Sequence, residues 1–198
     1  RHADSKIGII RDVIFRDILI RSGSGILIQG MPESPIENIT LQNIVFRAPW
    51  ADDYSNRKKA VGGRRTFRDD RDTKYARKPS YMTIANVKWL HLDNVQMQID
   101  PDAGRTFPRS IFQGYQIENG IMRGLWGDSN GDDPFLSLHD CRNILLSDYH
   151  TFASQKTFLS ITGSETHQIQ IGDNLHSSMI DPIRIAPEVA SEEVRYHQ

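Results

Sequence analysis

Two groups of residues in this chain have the types and spacing to bear on a reaction. The first is Asp132-Asp133, set between Gly131 and the alternating run Phe135-Leu-Ser-Leu138. Paired carboxylates can serve as general acid and general base on opposite sides of a bond being broken. One aspartate pair does not build that site alone; carboxylates on neighbouring turns of the chain have to join it. Asn130-Gly131-Asp132 is also strong turn chemistry, and the bend is the better-supported reading of the segment.

The second group lies in 47–83, which holds 11 Lys and Arg against 5 Asp and no Glu, a charge of +6. The whole chain carries −1, so the remainder carries −7. Aromatic residues (Trp50, Tyr54, Phe67, Tyr75, Tyr81) are interleaved with the cations. A planar apolar face beside guanidinium groups suits a sugar ring bearing a carboxylate: the ring stacks while arginine makes paired bonds to the acid. Arg64, Arg65, Arg68, Arg71, Lys74 and Arg77 are the candidate contacts to substrate carboxylates, with Tyr75 and Trp50 for stacking. The competing reading is a solvated insertion whose charges keep it soluble.

Other chemistries find less support. The basic run is confined to one segment of an otherwise acidic chain, which argues against nucleic acid as partner. No apolar run approaches the ~20 residues of a membrane span. The seven histidines show no paired spacing typical of a metal site, and neither metal nor cofactor is expected. A single cysteine, Cys141, excludes an internal disulfide framework.

The elements that must position these residues are read from repetition. IRDVIFRDILI (10–20) and IENITLQNIVF (36–46) superpose at a spacing of 26, with Val13 on Ile39, Phe15 on Leu41, Asp17 on Asn43, Ile18 on Ile44 and Ile20 on Phe46. WLHLDNVQM (89–97) is a further copy with Asn94 at the Asn43 position, and NILLSDY (143–149) and QIQIGDN (168–174) follow, 25 apart. Phe135-Leu-Ser-Leu138 and Phe158-Leu-Ser-Ile161 form a second repeat, 23 apart. Each copy alternates apolar residues as a strand with one buried face does, and each is too short to bury that face alone. Stacking copies at a period of about two dozen residues buries it against the next turn. The recurring Asp17, Asn43, Asn94, Asp148 and Asp173 tolerate left-handed backbone and are expected to form a polar ladder along one corner. The fold expected is all-β: a right-handed single-stranded parallel β-helix over 1–198, with the insertion at 47–83 and a C-terminal cap at 186–198 in which APEVASEEVRYHQ forms a short polar helix. With no initiator Met and nothing to cover the end before Ile7, the chain reads as the C-terminal part of a longer protein.

Gly25-Ile-Leu-Ile-Gln-Gly30-Met-Pro-Glu-Ser-Pro-Ile-Glu-Asn-Ile-Thr-Leu-Gln-Asn-Ile44 resembles the C-terminal coils of polygalacturonase-type glycoside hydrolases (family 28), and the repeat extends the likeness more loosely over most of the chain. The resemblance implies a secreted or periplasmic enzyme that hydrolyses pectic, uronate-containing polysaccharide without a metal. Of that family's signatures, Asn-Thr-Asp, Gly-His-Gly and Arg-Ile-Lys are absent here, while Gly131-Asp132-Asp133 matches its Gly-Asp-Asp. The expectation is a chain that supplies groove wall and solenoid cap, with Asp132 and Asp133 as its own catalytic candidates and the remaining carboxylates on preceding coils. A polysaccharide lyase on the same scaffold and a non-catalytic carbohydrate-binding or adhesion solenoid are the alternatives.

Overall fold

The computed structural model describes residues 8–22, 25–48, 80–100, 110–127, 133–151, 156–172 and 182–196. Over these residues the alternating segments become strands: β1 (Arg11–Arg21), β2 (Ile26–Gln29), β3 (Ile36–Ala48), β4 (Met82–Ile99), β5 (Phe112–Gly127), β6 (Leu136–His139), β7 (Arg142–Ser147), β8 (His150–Thr151), β9 (Leu159–Thr162), β10 (His167–Ile171), β11 (Ile183–Ile185) and β12 (Val194–Tyr196). Every pairing between them is parallel. The chain winds as a right-handed parallel β-helix of about five turns.

The register is the one the repeat predicts. Val13 faces Ile39, Phe15 faces Leu41, Ile18 faces Ile44 and Ile20 faces Phe46. Ile169 lies on Ile144, and Leu136 and Leu138 lie on Leu159 and Ile161. Inward residues fill a single core in which Phe46, Phe112, Phe135 and Phe158 are fully buried. Phe135 stacks on Phe158 with ring centroids 5.5 Å apart, and Tyr149 stacks on Phe158 at 4.0 Å.

β4 shows how a turn is made. It runs unbroken from Met82 to Ile99 but changes direction at Asn86, Trp89 and Asn94, each in left-handed backbone with φ of 52°, 62° and 53°. These bends stack into three corners. The first holds Asn86, Gln116, Asp140 and Gly163; the second holds Asp12, Asn38, Trp89, Asn119, Asn143 and Gln168; the third holds Asp17, Asn43, Asn94, Gly124 and Asp148. All have positive φ. Three faces lie between the corners. The first is formed by β2, the opening residues of β4 and β5, β6, β9 and β11. The second carries segments such as 90–93, and the third segments such as 95–99.

The expected ladder exists at the third corner. The Asn43 side-chain amide donates to Asp17 Oδ1 at 2.8 Å, and that of Asn94 to Asn43 Oδ1 at 2.9 Å. A parallel ladder runs along the second corner, with Asn38 donating to Asp12 at 2.7 Å and Asn143 to Asn119 at 2.7 Å. Left-handed backbone costs an ordinary L-residue about 1–2 kcal/mol, and these amide bonds are what make Asn and Asp the favoured occupants.

Three boundaries differ from expectation. Strand β3 continues through Arg47 to Ala48, and β4 begins at Met82, so the ends of 47–83 belong to the solenoid. Tyr81, grouped by sequence with the insertion's aromatics, is buried and packs against Phe46 at 6.3 Å. In the C-terminal segment a 3-10 turn of three residues (Ser191–Glu193) leads into β12, which adds to β10 with Val194 on Ile169. Val189 and Val194 are buried there, and their burial draws the segment onto the core as a strand. At the other end β1 pairs along one edge with β3. Phe15 is 41% exposed, whereas its partner Leu41 is 2% exposed.

Candidate functional site

The outer surface of the first face carries a row of chemically capable side chains. Alternation sends Met82, Ile84, Phe112, Leu136, Leu138, Leu159 and Ile161 inward, so the residues between them point out. Register then builds two outward rows: Leu27, Thr83, Gln113, Ser137, Ser160 and Arg184, and beside it Gln29, Ala85, Tyr115, His139 and Thr162. Successive strands lie about 4.8 Å apart. Leu27 is exposed and Gln29 half-buried, Thr83, Ala85 and Gln113 are buried, and Ser137, His139, Ser160 and Thr162 are half-buried with Arg184 exposed, so the face is covered at its middle turns and opens again toward its C-terminal ones.

His139 is the centre of the open part. Its Nδ1 lies 2.9 Å from the Thr162 hydroxyl and its Nε2 lies 3.2 Å from Asp140 Oδ2. Tyr115 meets the imidazole edge-on at 5.9 Å and donates its own hydroxyl to Gln113 Oε1 at 3.3 Å. Asp140 can flank the ring because it occupies the left-handed first corner; its other carboxylate oxygen accepts the Glu165 backbone N–H at 3.3 Å. Gly163 stacks next on that corner at φ +95°, and a Cβ there would come within 2.2 Å of Asp140 Oδ1, so only glycine permits this approach. The Gly163 N–H donates to Glu188 Oε1 at 3.1 Å. The Glu188 carboxyl is held below the usual range by its own backbone N–H, then by that of Gly163, with the nearby His139 charge adding to the effect. A histidine bonded to a hydroxyl and a carboxylate, with a second carboxylate close by, can exchange hydrogen bonds with a hydroxyl-rich ligand and relay a proton.

The residues singled out by sequence fall elsewhere. Trp50, Arg64, Arg65, Arg68, Arg71, Lys74, Tyr75 and Arg77 lie outside the described residues, as does Asp132. Asp133 is half-buried just before β6. It stands at the entrance of the strand whose exit is His139, so the structure does not bring it to the histidine cluster. Ala48 and Ser80, which bracket the basic insertion, place its return at the entrance of the first face. Cys141 is buried, with its thiol 3.6 Å from the Gly114 carbonyl, and desolvation pushes its pKa up to about 12; it stays a protonated core thiol. No group of three or more His, Cys, Asp and Glu side chains converges as a metal site among the described residues, and no described helix is long and apolar enough to cross a membrane.

Sequence reading passed over His139, Asp140, Tyr115, Thr162 and Glu188. One signal was available: His139 and Thr162 each follow the short repeat Phe-Leu-Ser-Leu/Ile, so its spacing of 23 already sets them side by side. Nothing comparable marks Glu188. In comparisons with known proteins, no family model, no curated protein and no solved structure matches this chain.

Proposed function

We propose that this chain is part of a secreted or periplasmic glycoside hydrolase acting on an acidic, pectin-like polysaccharide, to which it contributes groove wall and the end of the solenoid. The observation that carries the reading is the first face: a row of hydroxyl, amide, imidazole and guanidinium groups repeating at strand spacing along a rigid sheet. A polysaccharide is a ligand of matching form, since it presents hydroxyls at a regular interval and lies along such a row. The described chain resumes at Ser80, just before β4 enters this face, and the cations of the basic insertion are the proposed partners of the ligand's carboxylates. The resemblance of Gly25–Ile44 to polygalacturonase coils supports the hydrolytic assignment.

The test is binding of polygalacturonate before and after Arg64, Arg65 and Arg68 are changed to Ala, with release of reducing ends measured in parallel. Affinity should fall and its dependence on salt should shrink, because fewer ion contacts remain to be screened. Unchanged binding would sink the acidic-ligand reading. The separation of Asp133 from His139 favours a second reading, a non-catalytic carbohydrate-binding solenoid, in which binding occurs and no reducing ends appear. A product with the ultraviolet absorbance of an unsaturated sugar would indicate a lyase.

A further inference from the structure

The second corner contains an anomaly that the first face does not explain. Its positions are Asp12, Asn38, Trp89, Asn119, Asn143 and Gln168, all in left-handed backbone. Four of the six are Asp or Asn, which tolerate that conformation; the others are Gln168, a flexible polar residue, and tryptophan, at φ 62°. Asn38 bonds to Asp12 on one side and Asn143 to Asn119 on the other, and the indole stands between these two pairs. An asparagine at 89 would donate to Asn38 and accept from Asn119, as Asn43 does between Asp17 and Asn94. The chain instead places there a residue for which this backbone is strained. It does so without burying the side chain: Trp89 is 61% exposed.

Strain, a broken ladder and a largely exposed apolar group all work against the fold, and among the described residues no aromatic ring contact to the indole offsets them. Departures of this kind persist where a contact outside the fold requires them. We infer that Trp89 is the platform of a carbohydrate-binding site on the flank of the solenoid, separate from the first face. The surroundings indicate the ligand class. The platform is set in register between the side chains of Asn38 and Asn119, and Lys88, one residue before it, pairs with Glu118 at 3.6 Å on the next turn. A flat apolar disc ringed by amides and charges fits a sugar, whose C–H face lies on the indole while its hydroxyls reach the amides and a uronate carboxylate reaches Lys88. The core of a protein interface is instead depleted of charge around its aromatic anchors. The site shares with the functional reading above only its carbohydrate class; it lies at a different corner and uses none of the same residues.

The experiment pairs affinity with stability. Retardation of wild type, Trp89→Asn, Trp89→Ala and Trp89→Phe is measured in gels containing polygalacturonate or an uncharged β-glucan, alongside their thermal midpoints. Trp89→Asn and Trp89→Ala should weaken binding about three- to tenfold, with Trp89→Phe affected less. Trp89→Asn alone should raise the midpoint, by about 2–4 °C, because it completes the ladder. Wild-type binding that Trp89→Asn leaves unchanged overturns the platform while leaving the first-face reading intact. Absence of wild-type binding to either polysaccharide overturns both. Self-association that disappears in Trp89→Asn, with sugar binding unaffected, would assign the indole to a protein contact and also overturns the proposal.

Discussion

The second and third corners solve the same problem with different outcomes. Both require left-handed backbone once per turn, and both answer mostly with Asp and Asn. At the third corner Asp17, Asn43 and Asn94 form a continuous run of amide hydrogen bonds. The run ends at Gly124, which meets the same backbone demand at φ 67° by having no side chain. At the second corner the run is cut by Trp89, which satisfies neither the hydrogen bonding nor the conformational preference. The contrast separates what the solenoid needs from what it tolerates. A corner needs a residue that reaches left-handed φ cheaply, and a departure from that rule on exposed surface identifies a place where stability has been set aside for contact.

The comparison can be tested by perturbing each corner and what they share. Leu92 is fully buried between them, so Leu92→Ala should destabilise the protein by about 2–5 kcal/mol in chemical denaturation; a smaller loss would show that the core beneath the corners is not closely packed. Asn43→Ala removes two ladder bonds and forces alanine into left-handed backbone. It should cost about 2 kcal/mol, and Asn43→Gly, which removes only the bonds, about half as much. If both cost the same, backbone conformation is not what selects asparagine there. Trp89→Gly should have the opposite sign, raising stability by up to about 1 kcal/mol, since relief of strain outweighs the added freedom of the unfolded chain. A clear destabilisation would mean the indole supports the fold after all.

The smallest effect concerns Asp93, on the second face between the two corners. It accepts Gln42 Nε2 at 3.0 Å and Arg123 at 3.1 Å. The Gln42 bond and, after it, the Arg123 guanidinium hold the carboxyl below its ordinary value of 3.8 against the opposing effect of burial. A carboxyl depressed by folding binds fewer protons in the native state than in the unfolded one. Its contribution is complete above the unfolded pKa and is lost as pH falls through the folded value. The stability gap between wild type and Asp93→Asn should therefore be constant from about pH 7 to 5 and narrow below about pH 4. A gap that persists to about pH 2 would show that the carboxylate charge plays no part.

Legibility varied along the chain for identifiable reasons. The copies at 10–20 and 36–46 pair as their alignment requires because alternation and corner residues coincide in both. The turn formed by β5 escaped recognition as a copy. Gly114 and Gly120 occupy positions held by Ile84 and Leu90 on one side and by Leu138 and Ile144 on the other, and Gly124 replaces the ladder asparagine. The missing bulk comes from neighbours: Ile117 Cδ1 lies 2.8 Å from where a Gly114 Cβ would be, and Ile144 Cδ1 lies 2.8 Å from that of Gly120. An apolar pattern is invisible where adjacent residues do the filling. Asp132-Asp133 drew notice as a motif, yet Asp133 opens the strand that His139 closes, and the cluster forms at the far end.

Alternation, a period near two dozen residues and the placing of Asn and Asp are properties of short segments, so composition and spacing suffice to specify a stacked parallel coil and its ladders. Which outward side chains meet is a property of the stack. His139 finds Thr162 because the intervening turn returns the chain in register. Glu188 reaches Gly163 because the C-terminal segment closes over the core on Val189 and Val194. Trp89 becomes legible as an exception only when Asn38 and Asn119 are seen on either side of it, since strain and exposure are relations between neighbours in space that no single segment contains.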